Sequence, residues 1–218
     1  MIKLQVEKKT NIEQGVSYII LLDRSGSTAS FLSKMINDIK SLLGKLKIGD
    51  AISLVWFSGK GKFGSPIKLY KITSENSVKE LDDLLNQYKK ALGLTCFSEA
   101  LNELKEIVET SKTLNLQTAV LFMSDGWVND PSYQAEVQEI NNILPTLADK
   151  LDYFVTVAYS NYADRDMLIK MAELVSGESL GADSLEAFCK LMLRYFNKGL
   201  SLSPRNSIEL SEELLNKA

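Results

Sequence analysis

Histidine is absent from all 218 residues. That removes the Ser-His-Asp and Cys-His catalytic units and any zinc site that draws on imidazole. Cysteine is nearly absent too. Cys96 and Cys189 are too few for a four-thiolate zinc site or a disulfide framework, so reduced thiols in a reducing compartment are expected. A metal bound here must therefore be held almost wholly by oxygen, which selects hard cations such as Mg²⁺, Mn²⁺ or Ca²⁺. An excess of either charge is also missing. With 25 basic and 28 acidic side chains and a net charge of −3, there is no electrostatic case for nucleic acid or anionic lipid as the main partner. No apolar run approaches the roughly 20 residues that span a bilayer; Val16 to Leu22 is the longest conspicuous one. The stretch Met1 to Ser17 is polar and charged, lacks the apolar core of a signal peptide, and no Asn-x-Ser/Thr sequon occurs. The expectation is a soluble, cytoplasmic protein.

What remains is ordinary globular material, 45% apolar and 24% charged. A chain this long buries roughly 70% of the surface its unfolded form exposes. Apolar runs alternate with amphipathic segments. Val16–Asp23 (VSYIILLD), Ala51–Phe57 (AISLVWF), Thr118–Met123 (TAVLFM) and Tyr153–Ala158 (YFVTVA) read as buried strands. Ile67–Ile72 alternates as an edge strand does, and the nine residues from Ser58 to Pro66 are too few for a helical crossover, so it should run antiparallel to the strand before it. Helical spacing joins Leu32, Met35, Ile36, Ile39, Leu42, Leu43 and Leu46, with Gly49 as the stop. It returns from Val78 to Tyr88, from Ala100 to Val108, after Pro131, from Met167 to Val175, and through Leu185, Phe188, Met192 and Phe196. A short strand is expected near Glu178–Leu180. The predicted fold class is α/β: a Rossmann-like, doubly wound, mostly parallel sheet with one antiparallel edge strand and helices on both faces. One domain is expected over 1–199, with a core at about 16–197. A tail at 200–218 carries Ile208, Leu210, Leu214 and Leu215 and is read as a docked helix or a partner-binding segment.

In open α/β sheets, ligands gather beyond the carboxyl ends of the strands. Those ends carry Asp23-Arg24-Ser25-Gly26-Ser27 and Ser124-Asp125-Gly126, while Gly93-Leu94-Thr95 precedes the helix starting near Ser98. Alternation by two aims Asp23, Ser25 and Ser27 to one side of the first loop. With Thr95 and Asp125 they form a set of three hydroxyls and two carboxylates, suited to an octahedral Mg²⁺ or Mn²⁺ that keeps some water. The competing reading is that Asp23 and Ser25 only cap the following helix.

Asp23-x-Ser25-x-Ser27, Thr95 upstream of Ala100-Leu101, and Ser124-Asp125-Gly126 resemble the metal-ion-dependent adhesion site (MIDAS) of von Willebrand factor type A domains. The resemblance covers three separated segments in the family's order. It implies that the hydroxyls ligate the metal directly and that the aspartates act directly or through water. It further implies that a partner protein's carboxylate takes the remaining coordination position. Thr28 stands where the family often has Met, outside the ligand set, and little effect is expected. Cys96 is read as an inert buried residue, or as an oxidation-sensitive thiol if exposed.

Gly59-Lys60-Gly61-Lys62-Phe63-Gly64 matches a dinucleotide fingerprint in letters. A strand rather than a helix follows, so it is read as a hairpin loop. The loop leaves at the metal end of the sheet, where Lys60 and Lys62 are candidates to guide an acidic partner or are plain solvated lysines. Trp127, Tyr162 and Arg165 are candidate interface anchors at the same end. Arg24 is a candidate partner contact whose direction the sequence leaves open. Asp164 reads as a helix N-cap.

The expected function is a metal-dependent protein-interaction module, not an enzyme. Mg²⁺ or Mn²⁺, with Ca²⁺ less suited, would be completed by an acidic residue of a partner protein. One alternative is a Mg²⁺-dependent phosphohydrolase or phosphotransferase. Those that use Asp-x-Asp need a second acid where Ser25 stands. Another is a metal-independent structural subunit of an intracellular complex. By analogy of fold alone, size and composition also fit the stand-alone bacterial members associated with tellurium-resistance-type stress systems.

Overall fold

The computed structural model describes residues 15–184. The predicted helix at 185–196 and the tail at 200–218 lie outside the described residues. The first strand, β1 (Val16–Asp23), is buried along its whole length. Such a run of β-branched and apolar residues belongs in the middle of a sheet covered on both faces. β1 indeed lies between β2 (Ala51–Phe57) and β4 (Gln117–Ser124), parallel to both. The six-stranded order is β3-β2-β1-β4-β5-β6, with β3 at Phe63–Lys71, β5 at Tyr153–Ala158 and β6 at Glu178–Gly181. Of the described strands only β3 is antiparallel, and it forms one edge. The expected fold class is the observed one.

Successive strand residues point to opposite faces, and β1 therefore feeds two cores. Tyr18, Ile20 and Leu22 pack with Met35, Ile36 and Ile39 of α1 (Leu32–Leu43) and Leu81 of α2 (Glu75–Leu85). Ile19 and Leu21 pack on the other face with α3 (Ser98–Thr113), α4 (Tyr133–Ile143) and α5 (Arg165–Glu173), through Leu104, Ile140 and Met171. The chain after β1 turns to one face, and the chain after β4 turns to the other. The carboxyl ends of these two neighbouring strands thus form a topological switch point, where α/β sheets bind ligands.

Several boundaries moved, three of them for reasons that can be named. α1 ends at Leu43, with Gly44 as its C-cap, and does not run to Gly49. Gly49 instead takes φ +101° and its N–H bonds Ile72 O, closing the turn into β2. β3 begins at Phe63 and not at Ile67, because Gly64 pairs with Trp56. A Cβ at Gly64 would come within 2.9 Å of the Trp56 ring, so glycine allows the hairpin to close early. The glycine-rich run is thus a hairpin, as its sequence context implies. Pro131 precedes α4, but Ser132 caps it, its side chain accepting from Ala135 N.

Candidate metal centre

The β1 loop is built around Asp23, a fully buried carboxylate. One oxygen accepts the Ser25 N–H at 2.8 Å and the other accepts the Ser124 hydroxyl at 2.5 Å. Ser124 closes β4, so this bond ties the two strand ends together. The Ser25 and Ser27 hydroxyls lie 3.0 Å apart. Neither Ser25 nor Phe31, the residues that start the turn Gly26–Ser30 and α1, makes a side-chain cap bond. Helix capping therefore does not account for Asp23 and Ser25. Thr28 is buried, and its hydroxyl donates to Ser25 O at 2.9 Å and Asp23 O at 3.3 Å. This residue does affect the loop: it fastens the loop's backbone from within.

Asp125 follows β4 and is 3% exposed. Its Oδ1 accepts Trp127 N, and its carbonyl accepts Asp164 N at 2.8 Å. Gly126, at φ +81°, lets that second contact form, since a Cβ there would meet Asp164 O at 2.3 Å. The third segment reaches the β1 loop through Gly26 N to Gly93 O at 2.7 Å and Leu92 N to Arg24 O at 2.5 Å. Thr95 is 2% exposed, and both of its peptide groups are taken up by residues 129–130.

The electrostatics suit a cation. Burial pushes Asp23 up to about 7, against the hydrogen bonds from Ser124 and Ser25, and the charge of Asp125 adds to the rise. Burial raises Asp125 as well, opposed by the Ser27 hydroxyl and the Trp127 N–H. Among the described residues neither carboxylate has an ion-pair partner, and no cluster of three or more Asp, Glu or Cys side chains forms a conventional metal site. Two buried, uncompensated carboxylates beside hydroxyls are an oxygen donor set that fits a hard divalent ion.

Arg24 requires a correction. It does not face a partner: it is 7% exposed, its guanidinium lies 4.9 Å from the Trp56 ring and 5.2 Å from the Tyr88 ring, and it donates twice to Lys90 O. Its stacking and planar donors make it a staple between the β1 loop and the chain before α3. Lys60 and Lys62 are exposed in the β2–β3 hairpin, and Lys62 Nζ lies 4.0 Å from where a Cβ on Gly93 would stand. Trp127 is half-exposed with its indole N–H on Tyr162 O at 2.8 Å, while Tyr162 is 86% exposed and Arg165 is exposed at the start of α5. Asp164 caps α5 through Met167 N. Cys96 is buried and its thiol is pushed up to about 11 by burial, which makes it the inert residue of the two readings.

Two residues escaped the sequence reading. Asn129 Oδ1 accepts Thr95 N at 2.9 Å. Glu136, 1% exposed on α4, accepts Phe97 N at 2.6 Å, Ser98 N at 2.8 Å and the Ser98 hydroxyl at 2.8 Å. Its one sequence signal is a charge four residues before Ile140, on the helix's apolar stripe.

Solved structures with this fold include the von Willebrand factor type A protein of Catenulispora acidiphila, at 16% identity and TM-score 0.68. A second is proximal thread matrix protein 1 of the mussel byssus with a zinc-occupied MIDAS motif, at 14% identity and TM-score 0.60. A third is the manganese-loaded TRAP protein of Plasmodium vivax, at 17% identity and TM-score 0.59. They cover 84%, 83% and 83% of this chain, which spans 43%, 46% and 74% of theirs. At these identities the likeness is one of fold. No curated protein matches the sequence. Residues 18–127, half of the chain, match the von Willebrand factor type A domain family. The match runs from β1 through Asp125 to Trp127, and the chain belongs to that family.

Proposed function

We propose that this domain is a metal-dependent protein-interaction module. Asp23, Ser25, Ser27, Thr95 and Asp125 would hold Mg²⁺ or Mn²⁺, and an acidic side chain of a partner protein would complete the shell. The observation that carries this reading is the pair of buried carboxylates, without cationic partners among the described residues, beside two serine hydroxyls at the switch point of the sheet. When bound, the metal supplies a Lewis-acidic position for a carboxylate. The chain's own residues do the rest. Ser124 and the Ser25 N–H orient Asp23, Thr28 fixes the loop that presents Ser25 and Ser27, and Trp127 N orients Asp125.

Exposed Lys60, Lys62, Trp127, Tyr162 and Arg165 surround this end of the sheet and would set partner choice. With no histidine, and with Ser25 where a second acid would act, the set is short of proton carriers and better suited to holding a partner than to catalysis. No helix among the described residues is long and apolar enough to cross a membrane. By analogy of fold alone, the domain would act in the cytoplasm in a stress system of the tellurium-resistance type. Calorimetric titration with Mg²⁺ and Mn²⁺ should show one site in the wild type and none in Asp23→Ala. Unchanged binding in the variant would sink the assignment. Partners recovered from cell lysate should be lost on adding EDTA.

A further inference from the structure

The segment 125–136 does more than supply Asp125. Four residues after it, Asn129 takes the Thr95 N–H on its side chain, and the N–H groups of Asn129 and Asp130 both bond Thr95 O at 3.1 Å. Glu136 then grips the residues that follow Thr95. Its carboxylate accepts the Phe97 and Ser98 N–H groups and the Ser98 hydroxyl, and the Cys96 thiol stands 3.4 Å from Oε1. α3 has no side-chain cap of its own at Phe97. Its buried first N–H groups would be costly without an acceptor, and a carboxylate also complements the positive end of the helix. Glu136 supplies that acceptor from a different helix. Thr95 is thus held on its amide, its carbonyl and its C-terminal side by one continuous segment that also carries Asp125.

We infer that Asn129 and Glu136 are positioning residues that lock Thr95 to the Asp125 loop, so that these two ligands form one preorganised half of the metal site. The inference rests on the metal-site reading above. The other half, Asp23 to Ser27, is joined to it by Ser124 and the Gly26–Gly93 bond. Neither Asn129 nor Glu136 touches the metal in this scheme; each acts through the backbone that presents the Thr95 hydroxyl. Partners of this kind are commonly worth about 10- to 100-fold in metal affinity.

The test is Mn²⁺ affinity by calorimetry on the full chain, with Asp50→Asn as a matched control. Asp50 is also a buried carboxylate that accepts two backbone N–H groups, Val16 N and Lys47 N, but at the opposite end of the sheet. Glu136→Gln and Asn129→Ala should each weaken Mn²⁺ binding about 10- to 100-fold. Asp50→Asn should lower the unfolding temperature and leave Kd unchanged. In a Thr95→Ala background, Glu136→Gln should add little further loss, because both act through one ligand. Should Glu136→Gln fail to fold, Asn129→Ala, at an exposed position, decides alone. Wild-type Kd in both variants, while Asp23→Ala abolishes binding, would overturn the inference. So would a loss as large in Asp50→Asn, or fully additive losses with Thr95→Ala. Wild-type Kd in Asp23→Ala would instead overturn the metal-site reading itself.

Discussion

Asp23 and Asp125 sit where a carboxylate is least comfortable, deep beside one another at the end of a sheet, and their titration should report it. Asp23 is held at about 7, against 3.8 for an unburied aspartate. Between those values the metal-free folded protein keeps a proton that the unfolded chain has already lost. Stability therefore falls as pH rises from about 4 to 7. In EDTA, thermal unfolding temperatures should decline over that window, and Asp23→Asn, which cannot ionise, should flatten the decline. Gly126 is a residue whose backbone admits no side chain. Its φ of +81° and the 2.3 Å approach of Asp164 O to any Cβ leave no room for alanine. Strain of about 1–3 kcal/mol for the backbone alone is expected in Gly126→Ala. Added to the clash, it should move Asp125 out of place. A denaturant midpoint and a Mn²⁺ titration on the same sample check both effects.

At the scale of elements, α3 divides its work between an apolar stripe and its N-terminal end. α3 buries Ala100, Leu101, Leu104, Ile107 and Val108 against the sheet, and its first turn presents the Thr95 segment. Truncating a side chain in the middle of that stripe should cost stability without touching the site. Leu104 is fully buried, so Leu104→Ala should lose about 2–5 kcal/mol in chemical denaturation. Mn²⁺ affinity at 25 °C should stay the same, because the residue lies well over a turn from the helix start. A joint loss of affinity would mean that α3 moves as a rigid lever on Thr95. The hairpin between β2 and β3 is a second case. Gly59, Gly61 and Gly64 make it tight, and Lys60 N bonds Asp130 Oδ2 while Gly61 N bonds Glu99 Oε1. Acidic side chains are thereby turned to backbone, and the lysines are left facing solvent.

For the whole molecule, a ligand that binds only the folded chain stabilises it by mass action. Mg²⁺ at one hundred times its Kd should add about 2.7 kcal/mol, equivalent to about 5–10 °C in unfolding temperature for a domain of this size. Differential scanning with and without Mg²⁺ measures this, and Asp23→Ala should show no shift. Much of this architecture was legible in the sequence, because periodicity is a local property. β1, β2 and β5 fall at the expected residues, and the antiparallel edge follows from a short connection. Four of the five oxygen groups follow strands whose ends a parallel sheet brings to one side, while Thr95 precedes α3. What the sequence by itself determined was therefore the layer order and the kind of atom available to a metal, oxygen with no imidazole. Where individual side chains go was decided only by the tertiary structure. Arg24 and Glu136 are charged residues whose partners lie between 32 and 66 positions away, at Trp56, Tyr88, Lys90, Phe97 and Ser98. No local pattern encodes such distant pairings, and the cost of leaving a buried charge or helix end unmatched fixes them only when the chain closes.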